Sequence, residues 1–398
     1  VRISDIELVQ SPSSPDFVRV QARVAYDDDQ VAPELYWFEY PASCADAIRV
    51  SGNPWVLVML PLASSLGEEL RVDRPVDEAL WEGAQSMMEA WRYWYPNMKV
   101  VPIEAERERP ESSGRGVGQF FSGGVDSFFT AVRYSPDHPL RADTLMLAHG
   151  FDISIHNQEA FTEVRDVLRR AAEGLGRHFL TVATNIRTCR FGTLDWGTLG
   201  HGVGMGSAGL HLAGMFDRIL IPSTDGYREH GPWGSHVFLD HHMSTSTLHF
   251  IHDGPAATRL DKTKVVVESP VALSSLRVCW EGGTSSNCGE CEKCIRTMVA
   301  LELLGALEPC TTFEANRVDV RKVARIDTAP KEIGPLRLYY QEMLIEARQR
   351  GKGDLAKALD RSLRRSARNF YLRRAVKRVA GLPGLSSLVP HIRRLLDR

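Results

Sequence analysis

Gln119-Phe-Phe-Ser-Gly-Gly-Val-Asp-Ser-Phe-Phe-Thr130 decides how the rest of the chain is read. Apolar residues precede Ser122 and a helix-like apolar run follows Ser127, so Ser122-Gly-Gly-Val-Asp-Ser127 sits where a strand turns into a helix. The adjacent glycines, Gly123 and Gly124, let the backbone curl closely around a ligand and take positive φ. Curled N–H groups, with the positive end of the helix that follows, form an anion cradle. Ser122 and Ser127 add hydroxyl donors on either side of Val125. Asp126 is an odd choice for an anion site; it makes sense if it orients loop donors or helps hold Mg²⁺. The spacing is not Gly-x-x-x-x-Gly-Lys-Ser/Thr and no lysine follows, so this is not a Walker loop.

Outward from that loop, strands alternate with helices. The expected strands are Gln119–Phe121, Thr144–His149, His178–Val182, Arg218–Ile221 and Leu248–His252, with helices at Ser127–Arg133, Asn157–Gly174 and Thr198–Met215. Such alternation predicts an α/β fold, a parallel sheet wound with helices. Ligands of such sheets lie beyond the carboxyl ends of the strands. His149, Gly150, Phe151 and Asp152 follow the second strand, and Thr184, Asn185, Ile186 and Arg187 the third. After Ile219–Pro222 a polar, Gly-rich segment offers Asp225, Tyr227, Arg228, His230, Trp233, Ser235 and His236 as donors and a stacking face. The glycines of 197–214 read as close packing of a helix.

Four of the seven cysteines, Cys279, Cys288, Cys291 and Cys294, are spaced C-x8-C-x2-C-x2-C. Four thiolates over this span close a tetrahedral Zn²⁺ site with no open position, a structural site. An iron–sulfur cluster uses similar ligands. Asn287 and Gly289 suit the tight turn of a Cys-x-x-Cys knuckle. Cys44, Cys189 and Cys310 are scattered and read as small buried residues.

The loop resembles the pyrophosphate loop, Ser-Gly-Gly-x-Asp-Ser, of the PP-loop (N-type) ATP pyrophosphatases. With the cysteine spacing downstream, residues 118–300 resemble most the zinc-containing 7-cyano-7-deazaguanine synthases of that superfamily. The resemblance implies an adenine-nucleotide α-hydrolase-like sheet, with ATP, Mg²⁺ and Zn²⁺ as cofactors. It implies that the loop grips the β,γ-phosphates while a substrate oxygen attacks the α-phosphorus, leaving an adenylate that a nucleophile displaces. Ser122, Asp126, Ser127 and Lys262, in Leu260-Asp-Lys-Thr-Lys264, are then the expected catalytic residues. Residues 122–127 with His149, Gly150, Phe151, Asp152 and Asn185 would border the nucleotide. Arg187, Asp225, Tyr227, Trp233, Ser235 and His236 would face the substrate.

The expected organisation is an N-terminal α+β domain (1–112), the PP-loop domain (113–270), a four-cysteine zinc-binding segment (271–312) and a basic helical C-terminal region (313–398). The N-terminal part reads as strands Ile6–Val9, Val18–Val24, Leu35–Phe38, Val56–Leu60 and Val100–Ile103, with a helix at Asp77–Tyr95. A lid, a surface for a homodimer or a substrate clamp all fit it. The synthases have neither ~115 residues before the loop nor ~100 after the last cysteine, and they carry a shorter acidic segment after the fourth strand. A substrate different from theirs is therefore expected.

Lys+Arg at 48 against Asp+Glu at 50 leaves a net charge of −2, which argues against a polyanion-coating protein. The basic residues after Pro335 come without an aromatic-interleaved RNA module, so nucleic acid is not an expected partner. No apolar run approaches ~18 residues, so no membrane span is expected. With no signal-peptide pattern at the start and clustered thiols, the expected location is the cytosol. The expected reaction joins a small-molecule carboxylate to ammonia or an amine, giving an amide or nitrile. The alternatives are sulfur insertion using Cys189 or Cys310, as in tRNA thiolation, and a non-catalytic nucleotide-binding partner protein.

Overall fold

The computed structural model describes residues 1–110, 114–228, 231–279, 286–328 and 336–380, with backbone alone over 372–380. The chain begins with β1 (Arg2–Gln10), β2 (Phe17–Ala25), β3 (Glu34–Pro41), α1 (Asn53–Leu66), β4 (Leu70–Val72), β5 (Val76–Asp77), α2 (Glu78–Trp94), β6 (Ile103–Glu104) and β7 (Arg107–Glu108). Then come β8 (Gly116–Phe120), α3 (Val125–Val132), β9 (Thr144–His149), α4 (Gln158–Gly174), β10 (His178–Thr184), α5 (His201–Leu210), β11 (Phe216–Pro222) and β12 (His249–Asp253). The rest is helical: α6 (Arg259–Val266), α7 (Pro270–Ser275), α8 (Glu292–Leu303), α9 (Val320–Arg325), α10 (Leu336–Gln349) and α11 (Gly353–Ala380). Among the described residues, no helix is long and apolar enough to cross a membrane.

Ten strands form one mostly parallel sheet in the order β12-β11-β8-β9-β10-β3-β2-β1-β4-β6. The five strands from β12 to β10 are parallel. Their residues alternate between two buried faces. Leu145, Leu147 and Leu220 pack with Phe121, Phe128 and Leu168 of the loop, α3 and α4. Met146, Ile219 and Ile221 pack with Trp55, Trp91 and Val203 of α1, α2 and α5. Burial on both faces is why these strands read as continuous apolar runs. A third core joins α8 to α10 and α11 through Val299, Leu303, Tyr340 and Leu359.

The N-terminal strands continue the same sheet. β3 pairs antiparallel with β10 at Ala183–Glu39 and Thr184–Phe38, covering what would be an open edge. The expected strand at Val56–Leu60 is instead the middle of α1. A short apolar run buried on all sides has no periodicity to separate strand from helix. Its boundaries carry the signal: Pro54 in the first turn, and Gly67 at φ +74° after the last. Of the expected strand Val100–Ile103, Ile103 alone enters a strand. The expected helix Thr198–Met215 starts as a π-helical turn at Trp196–Gly200 and ends its α-helical part at Leu210.

The sheet places the loop. The chain runs β8 to β9 to β10 in one direction, then returns to β11 and β12 on the other side of β8. The carboxyl ends of β8 and β11 therefore flank the reversal point, where open α/β sheets bind their ligands. The Ser122-Gly-Gly turn leaves β8 there and Ser223 leaves β11.

His211 is fully buried against Phe38, Tyr40 and Trp55, and neither ring nitrogen has a hydrogen-bond partner. Burial pushes its pKa down to about 3. The unfolded chain, with a histidine pKa of ~6.5, binds a proton that the native state refuses between those values. Native stability is therefore expected to fall as pH drops through that window, and His211→Phe should lessen the slope. Melting midpoints of both proteins from pH 7 to 4 measure this; parallel curves would contradict it.

Candidate functional site

The loop between β8 and α3 has the geometry its glycines allow. Gly123 lies at φ +79°, and a Cβ there would stand 2.7 Å from Leu168 Cδ2. Gly124 caps α3 without any side-chain acceptor, so the N–H groups of the first turn are left to a ligand or solvent. Ser122 is exposed beside them. The Ser127 hydroxyl donates to the Gly124 carbonyl at 3.0 Å, which fixes the turn rather than presenting a donor.

Asp126, in the first turn of α3, accepts from Arg259 Nη1 at 2.8 Å and lies 3.3 Å from Lys262 Nζ. Both cations come from the first turn of α6, which a Thr258–Asp261 capping box starts. Lys262 is 1% exposed and also donates to the Ser223 carbonyl and to Ser223 Oγ (2.8 Å), tying the first turn of α3 to the end of β11. Arg259 Nη2 reaches the Thr224 carbonyl at 3.2 Å. Burial pushes the Asp126 carboxyl up, but Arg259 and Lys262 overcome this and hold it below the usual carboxylate range. Burial pulls Lys262 and Lys293 down against their carboxylate neighbours.

Further cations converge from α8 and the segment before the cysteines. Lys293 feels Asp152, Arg259, Arg296 and Asp126, and Arg277 feels Asp152. Tyr339 of α10 sits among them, its ring 5.4 Å from the Arg259 guanidinium and 4.9 Å from that of Arg296, its hydroxyl donating to Asp225 at 2.7 Å. Five cations thus lie among four carboxylates, Asp126, Asp152, Asp225 and Glu292, the last paired with Arg296 at 3.5 Å. Among the described residues, the Nε atoms of Arg259 and Arg277 are buried without a hydrogen-bond partner. A cavity of about 360 Å³, a volume suited to a small molecule, lies between α4 and the segment 274–277, lined by Leu168, Arg277, Asn287 and Thr312 among others; of the five cations only Arg277 lines it.

The sequence-derived residues divide. Lys262 lies against the 122–127 loop through Asp126. Gly150, at φ +94°, sits where a Cβ would lie 2.0 Å from the Thr184 carbonyl oxygen, so no other residue fits. Asp152 is exposed near Lys293 and Arg277. His149 is instead buried, stacked 4.0 Å from Phe161 and paired through Nε2 with the Ser154 carbonyl. Phe151 is buried, its ring 5.0 Å from Trp196; its carbonyl accepts from Arg187, whose guanidinium lies over Trp196. Asn185 does not face the loop with its amide: it accepts from Trp37 N and donates to Leu35 O, locking β3 onto the sheet.

Asp225 meets Tyr339, and Tyr227 is an exposed ring. Ser235 and His236 belong to a buried network that the sequence does not reveal. Fully buried Asp240 accepts from Ser235 Oγ (2.7 Å) and His236 N (3.0 Å), and pairs with His252 Nδ1 (2.7 Å). His201 Nε2 accepts from Ser235 N, so its Nδ1 carries the proton donated to the Trp196 carbonyl. Trp233 stands 5.6 Å from His201. His230 lies outside the described residues.

Cys279, Cys288, Cys291 and Cys294 bring four sulfurs within 4.8 Å of one another, and could hold a metal ion such as zinc. Four thiolates at ~2.3 Å from a tetrahedral ion stand about 3.8 Å apart; Cys288 and Cys294 are at 3.8 Å. The amides of Glu290 and Cys291 point at Cys288 Sγ and that of Cys294 at Cys291 Sγ, the donor pattern of a knuckle around thiolates. Gly289 makes the turn at φ +67°. Among the described residues no other group of three or more metal-ligating side chains occurs.

No family model, no curated protein and no solved structure matches this chain.

Cys291→Ser is expected to abolish metal binding by the four cysteines and lower the melting midpoint, because Cys291 also caps α8. Metal analysis and calorimetry check this; a metal-free variant melting like wild type would contradict it.

Proposed function

We propose that this chain is an ATP pyrophosphatase of the PP-loop type that adenylates a small carboxylate and transfers the acyl group to ammonia or an amine, giving an amide, which, where the donor is ammonia, a second adenylation on the amide oxygen and loss of AMP would convert to a nitrile. The observation that carries the reading is the Asp126 carboxylate held by Arg259 and Lys262 at the start of α3, at the reversal point of the sheet. The uncapped N–H groups of the loop would take the β,γ-phosphates of ATP. A substrate carboxylate oxygen would attack the α-phosphorus, pyrophosphate would leave, and the amine would displace AMP from the acyl adenylate. Lys262, Arg259 and Lys293 supply fixed positive charge where negative charge develops on the pyrophosphate, and Asp126 keeps the mutually repelling Arg259 and Lys262 in register. The cavity beside Arg277 suits the carboxylate substrate. We assign zinc to the cysteines; with four thiolates the site is closed, and its work is structural.

Sulfur insertion has less support. Burial and neighbouring Glu34 push the Cys189 thiol up to about 12, and burial also raises Cys310. Neither is an available thiolate near neutral pH.

Incubation with ATP, Mg²⁺, ammonium and a panel of carboxylic acids should yield AMP and pyrophosphate in equal amounts. Asp126→Ala and Lys262→Met should each lower that yield by about 10²–10³-fold, and Ser122→Ala should also reduce it. Release of ADP and phosphate by wild type would overturn the proposal.

A further inference from the structure

We propose that Tyr339 is a positioning residue through which the C-terminal helical region completes the anion site, by holding Arg259 and Arg296 aimed at it. This rests on the phosphate-binding reading above and extends it to a region for which the sequence offers no role.

Tyr339 is 4% exposed on α10, yet it packs into the site rather than only into its own helical layer. Its ring lies 5.4 Å from Arg259 Cζ and 4.9 Å from Arg296 Cζ. Its hydroxyl donates to Asp225 Oδ1 at 2.7 Å and approaches the Thr224 carbonyl at 3.4 Å. The same Thr224 carbonyl accepts from Arg259. One phenol therefore touches the segment after β11, the cation of α6 that pairs with Asp126, and a cation of α8 that follows the cysteines.

Two guanidinium groups collected near one point repel each other. The negative face of an aromatic ring offsets part of that repulsion without neutralising either charge, as a carboxylate would. Asp126 pairs with Arg259 at 2.8 Å and Glu292 with Arg296 at 3.5 Å, so the ring steadies two guanidiniums that each already hold one carboxylate. α10 is itself anchored: Tyr340 and Met343 pack in the third core, and Glu346 lies 3.9 Å from Lys264 of α6. The position of Tyr339 is set by the C-terminal layer and passed to α6 and α8.

The test is a calorimetric titration of the full chain with inorganic pyrophosphate, alongside melting curves. Tyr339→Phe keeps the ring and loses the bond to Asp225; affinity should fall about five-fold. Tyr339→Leu loses the ring as well, and the fall should exceed about ten-fold. Leu344→Ala loosens the same helix without touching either guanidinium, and should melt lower with affinity within about two-fold of wild type. With ATP as substrate, Tyr339→Phe should raise KM more than it lowers kcat. If wild type binds pyrophosphate and both Tyr339 variants bind it equally well, the positioning role is wrong while the anion site stands. If affinity in all three variants simply tracks melting temperature, Tyr339 is structural and the inference fails. If wild type itself binds no pyrophosphate, the anion site and this inference fall together.

Discussion

A partly buried carboxylate at the first turn of a helix, facing two buried cations, needs its counter-charge, and the site is organised around the one Asp126 receives. Removing Asp126 would leave the buried Lys262 and Arg259 without compensation, and breaking a fully buried pair costs up to about 3–5 kcal/mol. Asp126 meets that requirement with two cations from one turn of α6, and Lys262 in turn bonds the residue that leaves β11. The pairing therefore joins the ends of two strands, two helices and the glycine turn. It also leaves the trio with a net positive charge, facing N–H groups that no side chain caps.

A second set of bonds links this centre to the cysteines. Arg277 N donates to the Gly123 carbonyl, and the next two amides, of Val278 and Cys279, donate to Asn287 Oδ1. Asn287 reaches back to the Leu276 carbonyl. The stretch 276–279 is thus stitched to the glycine turn on one side and to the knuckle on the other. On the far side of the knuckle, Cys291 starts α8, and Lys293 and Arg296 follow within its first turns. A metal held by the four sulfurs would fix the start of the helix that delivers these cations. That would give a metal site a reason to stand beside the glycine turn.

Much of this is legible in the chain because the signals are local. The glycine turn, the strands around it and the Cys-x-x-Cys pairs each occupy a few consecutive residues, and the structure brings each together as read. What escapes a sequence reading depends on distance along the chain. Arg259 meets Asp126 across 133 positions, and Tyr339 meets Asp225 across 114. Nothing near Tyr339 marks it, whereas Arg259, three residues before Lys262 on one helix, carries a readable hint. Asn185 does stand at a strand end, but β3 occupies that edge and takes its amide. The α1 run reads as strand because uniform burial erases the periodicity that tells the two apart. His149, buried and stacked on Phe161, shows that a strand's carboxyl end also houses residues that only support the turn.

The central claim is that the backbone from Ser122 to Ser127, backed by Arg259 and Lys262, encloses the outer phosphates of ATP. A crystal of the full chain grown with Mg²⁺ and α,β-methylene-ATP, which resists cleavage at the bond in question, tests it most directly. The account predicts the β- and γ-phosphates against the amides of that turn, with the α-phosphorus open toward the cavity beside Arg277. An ordered, empty turn with the nucleotide bound elsewhere, or with no nucleotide at saturating concentration, would contradict it.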